Sequence, residues 1–326
     1  MIIRKTDLSG ENIPSSEITP LSVFRHARPE PASNRRAFLT RAAAALVGGA
    51  MAGVLPRSAY AATPLKTIPG KFQATDPQTP QQRATTYNNF YEFGIPKDQP
   101  AKNAHTLRTR PWTVQVTGLV KKPLTVNIDD MLAYRPLESR IYRHRCVEDW
   151  SMVIPWDGYS LSEFINFCEP LPGAKYVQFV SLWDRKQMPE APSDYPWPFL
   201  EGLRMDEAMH PLTMLTFGSY GEVLANQSGA PVRINVPWKY GYKSAKSIVK
   251  LNFTAKQPTT LWNELNPGAY GFYSNVNPDD SVPSGHARER RIDGSLLGRS
   301  IDTQMFNGYA DQVAGLYSGM DLKRNY

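Results

Sequence analysis

Twenty-eight prolines cut this 326-residue chain into short segments, and no other feature constrains its fold as much. Proline lacks a backbone donor and is excluded from helix interiors and central strands. What lies between the prolines reads as short strands with scattered short helices. Trp112–Gly118 alternates as a strand, and Leu124–Val126 reads as another. Ala174–Leu182, Pro231–Val236 and Ser247–Thr254 read the same way, the last with Ile248 and Lys250 on one face against Val249 and Leu251. Ser160-Leu-Ser-Glu163 has the form of a capping box opening a helix. On that helix Leu161, Phe164, Ile165 and Cys168 share one face, which predicts a buried, inert Cys168 thiol. Residues 62 to about 110, rich in Pro, Thr, Gln and Asn, read as an extended, irregular lead-in. The expected class is α+β, mixed and strand-rich. The βα rhythm of a dinucleotide-binding fold, GxGxxG and the P-loop are all missing.

The N-terminus carries an address. Arg35-Arg36 precede an apolar stretch, Ala42–Leu55, that is too short to span a bilayer, and Pro56 and Ala59-Tyr-Ala61 follow. A basic region, a short apolar region and an Ala-x-Ala end describe a cleavable signal covering residues 1–61. The paired arginines predict export, already folded, by the twin-arginine machinery to the periplasm. Asn34 directly before them, where Ser or Thr is usual, is a mild departure. Gly49-Ala-Met-Ala-Gly53 also fits a membrane-anchor reading, although an Ala/Gly-rich signal produces that pattern from composition alone. Folded export fits a protein that receives a cofactor in the cytoplasm. Residues 62–326 are expected to form one catalytic domain.

The formal charge of +7 sits mostly in the leader, which holds eight Lys/Arg and four Asp/Glu. The remaining 29 basic and 26 acidic residues are close to balance, which predicts no nucleic-acid partner. Two cysteines, Cys146 and Cys168, exclude a disulfide scaffold and a cysteine-based zinc finger.

Chemistry is concentrated at Ile141–Pro155. Cys146 stands two residues from His144 and two from Glu148, with Arg143 and Arg145 just before it. Neighbouring arginines favour a thiolate, either a nucleophile or a soft metal ligand. In an extended run, Cys146 shares a face with His144 and Glu148 while both arginines face away. Zinc would need further ligands, and His105, His210 and His286 are isolated. A bulky organic metal complex would need only the one cysteine, leaving Glu148 as proton donor or neighbour of the metal. Thr85–Phe93, with Asn88, Asn89, Tyr91 and Glu92, reads equally as an aromatic-anchored loop or a polar ligand cradle. Ser228–Arg233 and Pro237–Ser247, with Lys239, Lys243 and Lys246, would suit an anion, though a solvated basic loop is the plainer expectation. Ser247-Ile-Val-Lys250 matches a Ser-x-x-Lys pattern, but on a strand its side chains point to opposite faces.

Taken together, Thr85-Thr-Tyr-Asn-Asn-Phe-Tyr-Glu-Phe93, Arg145-Cys-Val-Glu-Asp-Trp-Ser-Met-Val-Ile-Pro-Trp156, Glu201-Gly-Leu-Arg-Met-Asp-Glu-Ala-Met-His-Pro-Leu-Thr213, Gly229-Ala-Pro-Val-Arg233 and Val236-Pro-Trp-Lys-Tyr-Gly-Tyr-Lys243 resemble the catalytic subunits of bacterial periplasmic methionine sulfoxide reductases. Those are molybdopterin enzymes of the sulfite-oxidase-like fold. The resemblance runs from about Thr85 to the C-terminus, with Gly271–Pro278 and Phe306–Ala310 continuing it. It implies a strand-rich molybdopterin-binding fold with Cys146 as the thiolate ligand of molybdenum. Asn88, Tyr91, Glu92, Ser181, Ser228, Arg233, Ser244, Ala245 and Lys246 fall on pterin-contacting positions, and Asn89 and Glu148 fall beside the metal. Three positions depart: the family often has Thr at Ser181, Asn at Ser228 and Gly at Ser244. The implied reaction is oxygen-atom transfer from methionine sulfoxide, free or in oxidised periplasmic proteins, in both R and S forms. Electrons would come from a haem-bearing membrane partner, with Glu148 as a proton relay. Rival readings are a sulfite-oxidising relative, a thiol-based reductase with Cys168 resolving, and an exported ligand-binding protein.

Overall fold

The computed structural model describes residues 63–279, 287–295, 298–323 and 325. The signal read over residues 1–61 and His286 lie outside them.

Two sheets organise the α+β fold. The five-stranded sheet runs β3 (Leu124–Asn127), β2 (Thr113–Gly118), β11 (Ile248–Thr254), β6 (Tyr176–Ser181) and β7 (Leu200–Arg204). The second sheet, of eight strands, branches at β5 (Trp150–Ser160), which pairs with β4 (Leu137–Arg145), β8 (Met214–Ser219) and β12 (Arg288–Arg291). Ten of the eleven residues of β5 are buried, so its apolar run Met152–Trp156 is covered on both faces. At Gly158 an added Cβ would lie 2.0 Å from the Leu215 carbonyl oxygen, so only glycine lets β8 approach there. The register of β5 against β8 shifts at this point.

Several sequence expectations change here. Residues 63–110 are irregular only in part: β1 (Thr67–Gln73) pairs in parallel with β4, and α1 (Gln81–Thr86) and α2 (Gln99–Asn103) follow, with coil between them. Pro69 and Gly70 hid β1, because an edge strand tolerates both. The helix Leu161–Cys168 forms, but its capping box does not. Ser160 Oγ accepts from Arg140 (2.8 Å), and Glu163 pairs with Arg135 (2.9 Å), so tertiary partners take both capping groups. The strand expected over Pro231–Val236 shrinks to β10, Arg233–Asn235. Ser247 lies outside β11 at φ 46°, its hydroxyl donating to the Ala230 carbonyl, and a bulge after Ile248 buries both Ile248 and Val249. Cys168 is buried, as expected, and burial pushes its thiol pKa up.

Candidate active site

The β4–β5 hairpin makes the floor. Its turn closes when the Cys146 N–H donates to the Trp150 carbonyl (2.9 Å), with Asp149 at φ 61°. Strand alternation therefore delivers His144 and Cys146 to one cleft, and the turn adds Glu148. The arginines face away, as expected: Arg143 pairs with Asp76 (2.7 Å), and Arg145 pairs with Glu289 (2.8 Å) and Asp149 (2.8 Å). With both so occupied, they do not hold the thiol ionised. Burial and then the Glu148 charge push the Cys146 thiol up to about 12, against weaker pulls from Lys97 and Arg145. This sulfur needs a bound cation to become a thiolate.

Around Cys146 Sγ, the Asn89 amide (3.4 Å) and the Glu148 N–H (3.4 Å) donate to sulfur, and Glu148 Oε2 lies 3.9 Å away. The Glu148 carboxylate accepts from Asn89 (3.1 Å), Tyr91 (2.8 Å) and Trp150 (3.1 Å), and pairs with Lys97 (2.6 Å). Burial alone would raise its pKa, yet these donors together lower it to about 2. These donors favour the carboxylate anion of Glu148.

The cleft encloses about 1050 Å³, its solvent-filled mouth included. Its lining includes Ala84 and residues 87–92 together with Ser181, Ser228, Arg233 and Lys246. Thr85–Phe93 therefore serves both of its readings. Phe90 and Phe93 are buried anchors, and Asn88, Asn89, Tyr91 and Glu92 line the cleft. Four buried polar atoms lining it have no hydrogen-bond partner among the described residues: Asn88 Oδ1, Asn89 Oδ1, Ser181 Oγ and Arg233 Nη2. Each such atom costs about 1–3 kcal/mol, so four facing one cavity indicate a polar ligand. Arg233 donates to the Ser228 carbonyl (2.9 Å) and lies over Trp156 (4.7 Å), with no ion pair to a carboxylate among the described residues. Burial, and then mutual repulsion with Arg233, depress the Lys246 pKa, and burial raises that of Glu92. Burial, then Arg233 and Lys246, push His144 down to about 3, so its ring is neutral. The donor set fits molybdopterin: the buried Arg233 and half-buried Lys246 suit its phosphate, and carboxamide and carboxylate groups suit the N–H edges of a pterin.

The basic loop is neither solvated nor a ring of anion-binding lysines. Lys239 and Lys243 are buried and paired with Glu207 (2.6 Å) and Glu201 (2.6 Å), so only Lys246 reaches the cleft. Ser244 has φ −89°, so a side chain costs it nothing, and its Oγ accepts from the Val236 N–H (3.2 Å). It lines a smaller cavity adjoining the cleft at His144 and Trp156. Ala245 is buried, and its carbonyl accepts from Ile234. Neither residue is on the main cleft wall, and Cys168 is not there either. No three His, Cys, Asp or Glu side chains among the described residues could hold a metal together, so His144, Cys146 and Glu148 are not a zinc site.

Sequence reasoning missed Lys97 and an aromatic mouth formed by Tyr195, Trp197, Tyr242, Trp262 and Tyr270. These come from separate coil segments and short helices, and no local periodicity links them. One test of the cleft concerns Arg233. Changing Arg233→Met should reduce bound molybdenum and pterin per chain at least tenfold, on the order of what a lost metal-site support costs. The thermal midpoint of the cofactor-free chain should hold or rise, since an uncompensated buried charge is removed.

A lone thiol beneath a buried cationic and amide-lined cleft defines a molybdopterin-dependent oxidoreductase, and residues 101–262 match the family model "Oxidoreductase molybdopterin binding domain". The protein-methionine-sulfoxide reductase catalytic subunit MsrP of Ralstonia nicotianae is 53% identical over 98% of both chains. Those of Burkholderia mallei (53%, over 100% of each) and Gluconobacter oxydans (47%, over 94% of this chain and 100% of the other) are also similar. The chain belongs to this MsrP family of protein-methionine-sulfoxide reductase catalytic subunits. The crystal structure of the sulfane dehydrogenase SoxCD from Paracoccus pantotrophus matches 46% of the chain at 20% identity and a TM-score of 0.39.

Proposed function

We propose that this enzyme reduces methionine sulfoxide in oxidised periplasmic proteins, in both R and S forms, with Cys146 as the protein ligand of molybdenum. The observation that carries this is the single buried Cys146 Sγ facing a cleft with four unpaired polar atoms on its walls. When bound, the molybdenum cofactor supplies two-electron oxygen-atom transfer. Asn88, Glu92, Ser181, Arg233 and Lys246 hold its organic part. Asn89 orients the sulfur of Cys146, to which it donates.

The overall reaction consumes one sulfoxide, two electrons and two protons and yields a thioether and water. Glu148 receives protons at its carboxylate, and Lys97 and Tyr91, both in contact with it, are the proton-bearing neighbours. Electrons come from a haem-containing membrane partner. The twin-arginine signal over residues 1–61 delivers the folded, loaded protein to the periplasm.

Elemental analysis tests the cofactor, and an artificial-donor assay on each separated sulfoxide diastereomer tests the activity. Near-stoichiometric molybdenum with turnover of both diastereomers is the expected result. Molybdenum-loaded protein that leaves both untouched would exclude the reductase reading. Replacing Glu148→Gln should lower kcat about a hundredfold, the scale of a lost general acid–base group, with molybdenum content retained.

A further inference from the structure

We propose that the aromatic cluster centred on Trp262 is the wall that recognises substrate, selecting the S-methyl end of a methionine sulfoxide side chain presented on a polypeptide. This rests on the reductase reading and names which part of the cleft meets the substrate. The cleft is divided by chemistry. All the unpartnered buried polar atoms on its walls belong to Asn88, Asn89, Ser181 and Arg233, which leaves that side to the cofactor. Another part of the lining is an aromatic cluster. Trp262 lies 5.5 Å from Tyr91, 5.9 Å from Tyr195, 6.5 Å from Tyr242 and 5.0 Å from Tyr270, centroid to centroid.

Glu148 joins the two parts, because Tyr91 belongs to the cluster and donates to its carboxylate. A side chain lying against these rings therefore ends beside Cys146. Sulfur bonded to methyl and methylene groups packs favourably on aromatic rings. Neither the Trp262 indole N–H nor the Tyr270 hydroxyl makes a hydrogen bond among the described residues, so both remain available to a sulfoxide oxygen or a peptide carbonyl.

A second observation favours a polypeptide over a free amino acid. Of the five exposed large hydrophobic residues among the described residues, Ile95 and Leu265 stand on the segments that carry the wall, four residues after Tyr91 and three after Trp262. Apolar side chains exposed on these same segments give a flexible stretch flanking the oxidised methionine something to cover.

The test uses the mature, molybdenum-loaded chain with Trp262→Ala, Trp262→Leu and Trp262→Phe. Leu preserves apolar bulk should Ala fail to fold, and Phe preserves a ring. Two quantities are read for a short peptide: KM for its methionine sulfoxide form, and calorimetric Kd for its inert methionine sulfone form. Both should rise about tenfold in the Ala and Leu variants, the upper scale of a sulfur–aromatic contact. Phe should restore most of the loss, and molybdenum per chain should stay at the wild-type level. The KM for dimethyl sulfoxide, which has no chain to lay along the wall, should rise less than the peptide's. Unchanged KM and Kd in loaded Ala and Leu variants would overturn the proposal. Wild-type protein that binds the sulfone peptide through Trp262 but never turns over the sulfoxide would uphold the wall and remove the reductase reading.

Discussion

Replacing Cys146→Ala should abolish sulfoxide reduction, by on the order of a thousandfold or more, as losses of a group central to catalysis do. The chain should still fold. Cys146 sits at a hairpin turn held by a backbone hydrogen bond to Trp150, and the deletion removes one sulfur from the wall of an existing cleft. Its direct contacts are the Asn89 amide, the Glu148 N–H and the Glu148 carboxylate, and Asn89 and Glu148 already have each other as partners. Elemental analysis and a urea melt read the two effects separately. Loss of turnover with bound pterin but altered molybdenum spectroscopy would place the defect at the metal ligand. Full activity in the variant would remove Cys146 from the chemistry altogether.

Lys239→Met should destabilise the protein by about 3–5 kcal/mol, the cost of stranding one member of a buried ion pair. Lys239 and Glu207 are both fully buried, 2.6 Å apart. The ammonium also donates to the Tyr273 carbonyl (2.7 Å) and Asn275 (2.9 Å), while Glu207 accepts from Tyr317 (2.7 Å) and the Arg204 N–H (3.0 Å). Removing the lysine leaves a carboxylate in the interior with two neutral donors. Adding Glu207→Gln to Lys239→Met should recover part of the loss, because the uncompensated charge disappears. Urea midpoints of the single and double variants measure this. Because Tyr317 and Tyr273 join the same network, the C-terminal segment should loosen first, visible as faster amide exchange around residues 305–317.

These two residues mark the border of what could be read without a structure. The pattern Arg143-His144-Arg145-Cys146 already assigned opposite faces to the arginines and to the His/Cys pair, because strand alternation is a local property, whereas Glu148 joins them through the turn. The three strands at Thr113–Gly118, Tyr176–Ser181 and Ile248–Thr254 were legible for the same reason. Proline and glycine concealed β1, since an edge strand tolerates what a central one does not. The capping box at Ser160 had the right letters, but Arg140 and Arg135 took its two side chains.

The mixed, strand-rich class, the family and the nearness of Cys146 and Glu148 could all be read from the letters. All of these depend on residues a few positions apart or on ordered motifs. Only the tertiary structure decided which lysines are charges for a ligand and which are structural. Lys239 and Lys243 meet Glu207 and Glu201 from 32 and 42 residues away, and Lys246 alone of the three is left to the cleft. It likewise decided what surrounds the Glu148 carboxylate, because Lys97, Asn89 and Tyr91 reach it from more than fifty residues upstream. The physical reason is common to both. Periodicity fixes where a side chain points, whereas its charge state and partners depend on groups that only folding brings within hydrogen-bonding distance.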